Sequence, residues 1–453
     1  MNIVIIGCGK VGLTLAAQLA QENHAITLVD TDADRVNDAV NNLDVQGVLG
    51  NGTSYGTLLE AGVPTADLVI AVTDHDEQNL LCCLLARKTG RCQTIARVRN
   101  PGYYQDIRLI KDDLGLAMVI NPELAAAEDI SHLLQIPSAL DIDYFAKAKV
   151  NMMRFRVAAD SPLVGKNMME INAMLDSRML VCIRERHGEI DIPSGTTDLQ
   201  AGDSISVIIP VQQIHAVLHK LKLQNRQVHS ALIAGGGSIS VYLARMLERG
   251  RVRTKIIESD AARCRELSEL LPNVSIIHGD TTDKQLLLEE GLPAAESFIA
   301  LTGLDEENIM LALYAEKVSR AKVVTKIGRI DFEEVISDLP LGSVVYPKNI
   351  TAENIVRFVR ALGNASGNNV ETLYQILDGR VEALEFVVKP GSEAVVGIPL
   401  MKLPLLKGLL VCSINRGGRV IIPSGRDTIE EGDIVVIVTT HKGIRDLGDI
   451  LRS

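Results

Sequence analysis

Short runs of aliphatic and β-branched residues alternate along this chain with stretches whose apolar residues recur every three or four positions. IVII at 3–6, ITLV at 26–29 and LVIAV at 68–72 are strand-length. Between the first two, Val11, Leu15 and Leu19 stand four apart, which places them on one face of a helix. Strands alternating with helices predict a parallel α/β sheet. No apolar run approaches the roughly 20 residues that cross a bilayer. The opening MNIVIIG has no basic segment and enters a strand at once, so no signal peptide is expected.

The pattern then repeats. IVIIGCGKVG at 3–12 returns as ALIAGGGSIS at 231–240, 228 residues later. The acid that ends the next strand recurs at the same offset, Asp30 in ITLVD and Glu258 in TKIIE. Further pieces follow in the same order: GNGTS at 50–54 and GDTTD at 279–283, then VTDHDEQN at 72–79 and LTGLDEEN at 301–308. A second repeat lies behind each of these. IPSGTTDLQAGD at 192–203 matches IPSGRDTIEEGD at 422–433, and each leads into a β-branched run. The expected order is therefore A–B–A′–B′. The fold class is α/β, with two Rossmann-like parallel-sheet domains each followed by a small α+β domain. The expected limits are 1–130 for the first Rossmann domain, 131–147 for a crossover helix and linker, and 148–225 for the first small domain. The second pair is expected at 226–365 and 370–453. Each small domain is expected to end in a helix, over 212–221 and 441–451, and 363–369 (GNASGNN) reads as a linker.

Candidate chemistry begins at Gly7-Cys8-Gly9-Lys10-Val11-Gly12, a GxGxxG run between strand and helix at the start of a βαβ unit. Gly7 permits the tight turn, Gly9 lets a pyrophosphate approach the backbone at the helix N-terminus, and Gly12 lets helix and strand pack closely. Asp30, at the end of the second strand, can accept both ribose hydroxyls and disfavours a 2′-phosphate. Strand, glycine loop, helix and acid together point to NAD(H). In the second half Gly235, Gly236, Gly237, Ser238 and Ile239 precede a serine, Ser240, where the third glycine belongs, while Glu258 keeps the acid. That hydroxymethyl group is expected to widen the helix–strand contact slightly. A working site and a purely structural copy both remain open for this half. Thr73 and Asp74 end the fourth strand beside the cleft, with Thr302 and Gly303 as counterparts. Arg97 and Lys326 end the fifth strands, where a cation either meets a phosphate or is simply solvated. Asn51 and Asp280 follow the third strands, and their residue types also suit a plain turn.

Composition removes other classes. The 453 residues carry a net charge of −11, which argues against nucleic acid and against direct adhesion to an anionic membrane. Seven cysteines, an odd number without a CxxC, read as buried thiols in a reducing compartment and not as a disulfide or zinc framework. His75, His187 and His215 lack ligand-spaced partners and read as surface residues, so no metal is expected.

The A–B–A′–B′ order, the Gly7–Gly12 loop with Asp30, the AVTD and DEQN pieces at 71–79, IARVRNP at 95–101 and NPELAAAEDI at 121–130 resemble the TrkA family, peripheral subunits of bacterial Trk potassium uptake systems. The resemblance covers essentially the whole chain. It implies RCK (KTN) nucleotide-binding domains for the A units and RCK C-terminal domains for the B units, without catalysis. It implies NAD, NADH and, in some members, ATP or ADP as ligands. The implied assembly is a tetrameric ring on the cytoplasmic face of the membrane, docked beneath a potassium-transporting membrane subunit that it gates. Carried over by residue, the first site is Gly7 to Val11, Asp30, Asn51, Thr73, Asp74 and Arg97. The second is Gly235 to Ile239, Glu258, Asp280, Thr302 and Lys326. Two alternatives stand beside this: a regulator of a different ion transporter, and an NAD-dependent dehydrogenase. The dehydrogenase needs a proton donor beside the nicotinamide, and the duplicated modules share turns but not histidines.

Overall fold

In the computed structural model the run NIVII becomes strand β1 (Asn2–Ile6), buried from Ile3 onward. The residues described are 1–145, 150–176, 179–223, 227–328, 336, 339–364, 370–377, 379–390, 394–444 and 446–452. From β1 the chain continues through α1 (Lys10–Gln21), β2 (Ala25–Asp30), α2 (Ala33–Asn42), β3 (Gln46–Leu49), α3 (Tyr55–Glu60), β4 (Leu68–Ala71), α4 (Asp76–Thr89), β5 (Gln93–Arg97), α5 (Pro101–Leu114), β6 (Met118–Ile120) and α6 (Pro122–Gln135). The six strands pair in parallel in the order β3-β2-β1-β4-β5-β6. All four residues of β4 are buried. Strands of a parallel sheet are covered on both faces, which is why these runs are continuously apolar. The order reverses between β1 and β4, and in such sheets the crevice beyond the strand ends at that point is where ligands sit.

The first antiparallel sheet holds β7 (Asp141–Phe145), β8 (Val150–Arg156), β9 (Leu180–Arg186), β10 (Glu189–Asp191) and β11 (Ser204–Pro210), with α7 (Met168–Met174) and α8 (Ile214–Lys220). The repeat then runs β12 (Ser230–Ala234), α9 (Ser238–Arg249), β13 (Arg253–Glu258), α10 (Ala261–Leu270), β14 (Ser275–His278), α11 (Lys284–Glu289), β15 (Ser297–Ala300), α12 (Asp305–Val318), β16 (Lys322–Lys326), β17 (Ser343–Val345) and α13 (Pro347–Asn364). Its parallel order, β14-β13-β12-β15-β16-β17, copies the first. A second antiparallel sheet closes the chain with β18 (Val370–Ile376), β19 (Val381–Val387), β20 (Leu409–Arg416), β21 (Arg419–Ile421) and β22 (Ile434–Thr439). The repeated Gly-Asp turns have a structural reason. Asp203, almost fully buried, pairs with Arg186 at 2.7 Å, and Asp433 pairs with Arg416 at 2.8 Å. Each aspartate thereby locks its turn to a neighbouring strand.

Three expectations need correction or placement. Segment 131–147 holds the last turn of α6 and then strand β7, so it is not simply helix and linker. Residues 441–451 do not form a helix: among the described residues there is one 3-10 turn, Leu447–Ile450. Ile444, Leu447 and Leu451 have helical spacing, but Gly443 sits at φ +83°, outside the helical region, and Asp446 caps the short turn instead. Of the expected linker 363–369, residues 365–369 lie outside the described residues.

The molecule divides into two units: Met1–Ser131 with His229–Val356, which holds both parallel sheets, and His132–Val228 with Arg357–Ser453, which holds both antiparallel sheets. In the first unit the halves meet through Tyr242 of α9. Its hydroxyl donates to the Arg99 carbonyl at 3.1 Å and accepts from Asn121 Nδ2 at 2.8 Å, with both side chains nearly buried. Tyr242→Phe should destabilise this unit by about 1 kcal/mol, because it removes two hydrogen bonds while Asn121 Nδ2 still donates to the Arg99 carbonyl at 3.2 Å. Urea unfolding checks it, and a midpoint equal to the parent's refutes it.

Candidate functional site

Helices α1 and α9 begin without a side-chain cap, at Gly9 and Gly237. Their first amides are left for another acceptor, and the helix dipole favours an anion there. Gly7 at φ +112° and Gly235 at φ +98° turn the chain from strand into helix. A β-carbon on Gly12 would stand 1.9 Å from the Gly7 carbonyl oxygen, so the third glycine is required in the first half. Ser240 fills that position in the second half by another route. It is fully buried, and its hydroxyl donates to the Gly235 carbonyl at 2.6 Å. A close backbone approach has become a hydrogen bond, and the glycine turn survives.

The two acids hold the loops in the same way. Asp30 Oδ2 accepts the Cys8 amide at 2.6 Å and Oδ1 accepts the Asp32 amide at 3.0 Å. Glu258 Oε2 accepts the Gly236 amide at 2.8 Å and Oε1 accepts the Asp260 amide at 2.8 Å. Each carboxylate keeps lone pairs for a diol.

Both loops open on one cavity of about 900 Å³. Its first-half lining includes Gly7, Cys8, Gly9, Lys10, Val11, Asp30, Thr73, Asp74 and Arg97; from the second half come Gly237, Ser238, Ile239 and Lys326. Gly235, Gly236, Glu258, Asp280 and Thr302 lie outside this lining, as does Gly12 beneath its loop. Asn51 sits between two lining glycines, Gly50 and Gly52. Its carboxamide oxygen accepts from the Thr53 amide at 3.0 Å, as Asp280 accepts from the Thr282 amide at 2.8 Å. Turn chemistry accounts for both contacts. His75 is exposed, as expected of a surface residue, but it also borders the cleft.

Three sets of residues were not singled out in the sequence. Asn79 is fully buried; it accepts from the Thr73 amide at 2.8 Å and donates to the Thr73 and Arg97 carbonyls at 3.1 and 3.0 Å. Asn308 makes the same contacts to Thr302 and Lys326. Each asparagine ties together the ends of two strands that border the cleft. Glu123 and Lys348, second residues of α6 and α13, both line the cavity, and Arg35 lines it from α2. The signal for each of these was recurrence or mismatch between the repeats.

Burial governs the charges here. It pulls the Arg97 guanidinium below the usual arginine value, with Arg99 adding to the effect. It lowers the Lys326 ammonium, against the pull of Asp305. It raises the Glu123 carboxyl, which Arg97 partly brings back. Burial and the Asp30 carboxylate push the Cys8 thiol up to about 12, so it is no nucleophile at neutral pH.

Residues 3–122 and 231–347 match the TrkA-N domain, and residues 152–222 and 383–452 match the TrkA-C domain. These matches define a protein of tandem TrkA-N and TrkA-C domains. The chain is 31% identical to the Trk system potassium uptake protein TrkA homolog of Archaeoglobus fulgidus, over all of both chains. It is 32% identical to the Trk system potassium uptake protein TrkA of Halomonas elongata, covering 99% of this chain and 98% of that one. The chain belongs to the TrkA family of Trk potassium uptake proteins. Among solved structures it is similar to the RCK domain of GsuK, with a TM-score of 0.62 at 19% identity, covering 96% of this chain and 92% of that chain. It is also similar to the GsuK channel bound to NAD, with a TM-score of 0.61 at 19% identity, covering 97% and 76%. At that identity the likeness establishes the RCK fold. No helix among the described residues is long and apolar enough to cross a membrane.

Glu123 supplies a test of the electrostatics. Its folded pKa is raised, so the fold favours the protonated acid, and that stability is lost as pH rises through the folded value. Glu123→Gln should therefore raise the melting temperature more at pH 8 than at pH 4. An equal shift at both pH values contradicts the assigned burial cost.

Proposed function

We propose that this chain is the nucleotide-sensing regulatory subunit of a Trk-type potassium uptake system, binding NAD(H) in its first Rossmann half and gating a membrane-embedded potassium-transporting subunit. One observation carries the reading: Asp30 is fixed against the glycine loop by the Cys8 amide while α1 presents uncapped amides to the same cavity. That is the donor and acceptor set a dinucleotide needs, with a diol at the carboxylate and a pyrophosphate at the helix. The site residues are Gly7, Cys8, Gly9, Lys10, Val11, Asp30, Thr73, Asp74 and Arg97, with Asn51 supporting the loop beside them. The second half repeats the arrangement with Gly235 to Ile239, Glu258, Thr302 and Lys326, and with Asp280 in its turn. ADP or ATP are further ligands in this reading. The domain limits are those expected from the sequence, with β7 joined to the first small domain.

The names of the relatives support potassium uptake as the process served, and GsuK, a channel of the same fold, binds NAD. The working assembly is a homotetrameric ring on the cytoplasmic face of the membrane, since symmetric repetition of paired units closes rings. A ligand shifts such a ring only by its differential affinity for two shapes, at about 1–3 kcal/mol of coupling per site. No chemical step belongs to this reading. Among the described residues His75 is the one imidazole on the cavity lining, and it is not repeated, since Leu304 occupies its place in the second half.

Asp30→Ala should weaken NAD binding by about one to two decades, the worth of roughly 1.5–3 kcal/mol for bonds to a charged group. Calorimetry on the parent should also find NADP markedly weaker than NAD; equal affinities would overturn the assignment. In liposomes holding the membrane subunit, potassium flux should respond to nucleotide with the parent chain and lose that response with Asp30→Ala. Steady cofactor turnover with hydroxy acids or aldehydes, abolished by Asp30→Ala, would restore the dehydrogenase alternative.

A further inference from the structure

The two halves share a backbone frame, but they differ at the acid. Cys8, Asp30, Thr31, Arg35 and Gly50 all line the large cavity. Their counterparts are Gly236, Glu258, Ser259, Arg263 and Gly279, and none of these lines it. The main chain does not account for the difference, since both glycine turns and both uncapped helix starts are present. Side chains do.

Arg35 and Arg263 hold the same place, third in α2 and third in α10. Arg35 turns back to the cap of its own helix, with Nε 3.3 Å from Asp32 Oδ2. Arg263 turns the other way. Its Nε donates to the Gly236 carbonyl at 2.8 Å, and its Nη1 pairs with Glu266 Oε2 at 2.7 Å. Its side chain is 24% exposed, against 54% for Arg35. Glu266 stands where the first half has Asp38, and the extra methylene brings its carboxylate within reach of the guanidinium. Leu267, fully buried, stands where the first half has Ala39; a β-carbon on Gly236 would lie 2.4 Å from its Cδ1. Glu258 accepts the Ser259 hydroxyl at 3.3 Å besides its two amides, and His278 Nε2 donates to the Ser259 carbonyl at 3.1 Å. The acid of the second half is thus bound into its own surroundings, and an arginine lies across the loop it holds.

We propose that Arg263 is a latch on the second half: bonded to Gly236, it covers the approach to Glu258, and that half takes a nucleotide only after the arginine swings away. A nucleotide with its diol on Glu258 and its diphosphate at the start of α9 runs its ribose past Gly236, where the guanidinium lies. Opening breaks a charge-assisted hydrogen bond. A site that is competent for a small fraction of the time binds more weakly by that fraction. The first half therefore fills first, and the second responds at roughly ten- to a hundredfold higher nucleotide. One motif, used twice, then answers two ranges of nucleotide concentration.

The inference rests on the nucleotide-binding reading above, and the experiment separates the two. ADP is the probe, because it carries the diol and the diphosphate for which both halves are built. Calorimetry on the full-length parent should resolve a strong step of one ADP per chain and a second step roughly ten- to a hundredfold weaker. Arg263→Ala should strengthen the second step by about that factor, a gain that misfolding cannot produce. Adding Glu258→Ala should remove the gain, which places the step in the second half. The matched change in the first half, Arg35→Ala, should leave the second step where it is. If the parent binds two ADP equally, if Arg263→Ala leaves the second step unchanged, or if Arg35→Ala strengthens it as much, the latch is wrong while nucleotide binding stands. If neither ADP nor NAD binds the parent, the nucleotide reading itself falls.

Discussion

Asp30 accepts the Cys8 amide, and Glu258 accepts the Gly236 amide. Much of the site follows from this bond. A glycine-rich loop that must leave its amides free for a ligand has few internal bonds to define its shape, and the carboxylate supplies one from outside the loop. The two versions are not interchangeable residue by residue. Glutamate carries an extra methylene, and a β-carbon on Gly236 would lie 2.9 Å from Glu258 Oε2 and 2.4 Å from Leu267 Cδ1. The first half combines aspartate with a residue that has a side chain; the second combines glutamate with glycine. Placing glutamate at 30 without changing Cys8 would crowd the loop, so each acid and its loop residue form a matched pair.

The strand ends are held on the other side of the cleft by Asn79 and Asn308. A buried carboxamide without its bonds costs more than the bonds gain, which makes each asparagine a strict requirement of its local geometry. Both bridge the fourth and fifth strands of their sheet, where Thr73, Arg97 and Lys326 reach the cavity. Movement of one strand end is therefore felt by the other. Thr73 is thereby linked to Arg97 and, through its field, to Glu123 at the start of α6.

Much of this was legible in the sequence because repetition and periodicity are local. The glycine loops, the acids at a fixed offset and the parallel order follow from spacings that survive without knowledge of the fold. The 441–451 segment misled because its apolar spacing is helical, while Gly443 at φ +83° decides against a helix. Strand β7 was hidden in 131–147 because, among the described residues, it pairs with β8 alone, and pairing partners are not written in local pattern. The largest omission was the shared cavity. Each half shows its own motif, but nothing in either motif says that the two open on one cavity, or that Lys10 lies beside Gly328 of the other half.

That juxtaposition gives the duplication a physical consequence. Two identical units facing each other would have to carry the same residue at both helix starts and both crossover helices, so their sites would share one charge and one preference. Fusion into a single chain lifts that restriction, because Lys10 and Ser238, or Glu123 and Lys348, are free to diverge while the backbone frame stays common. Lys10, Glu123 and Lys326 then lie on one cavity, where the charge of each acts on the others. At an effective dielectric constant of about 20, unit charges 8 Å apart interact by roughly 2 kcal/mol, within the range of ordinary allosteric couplings.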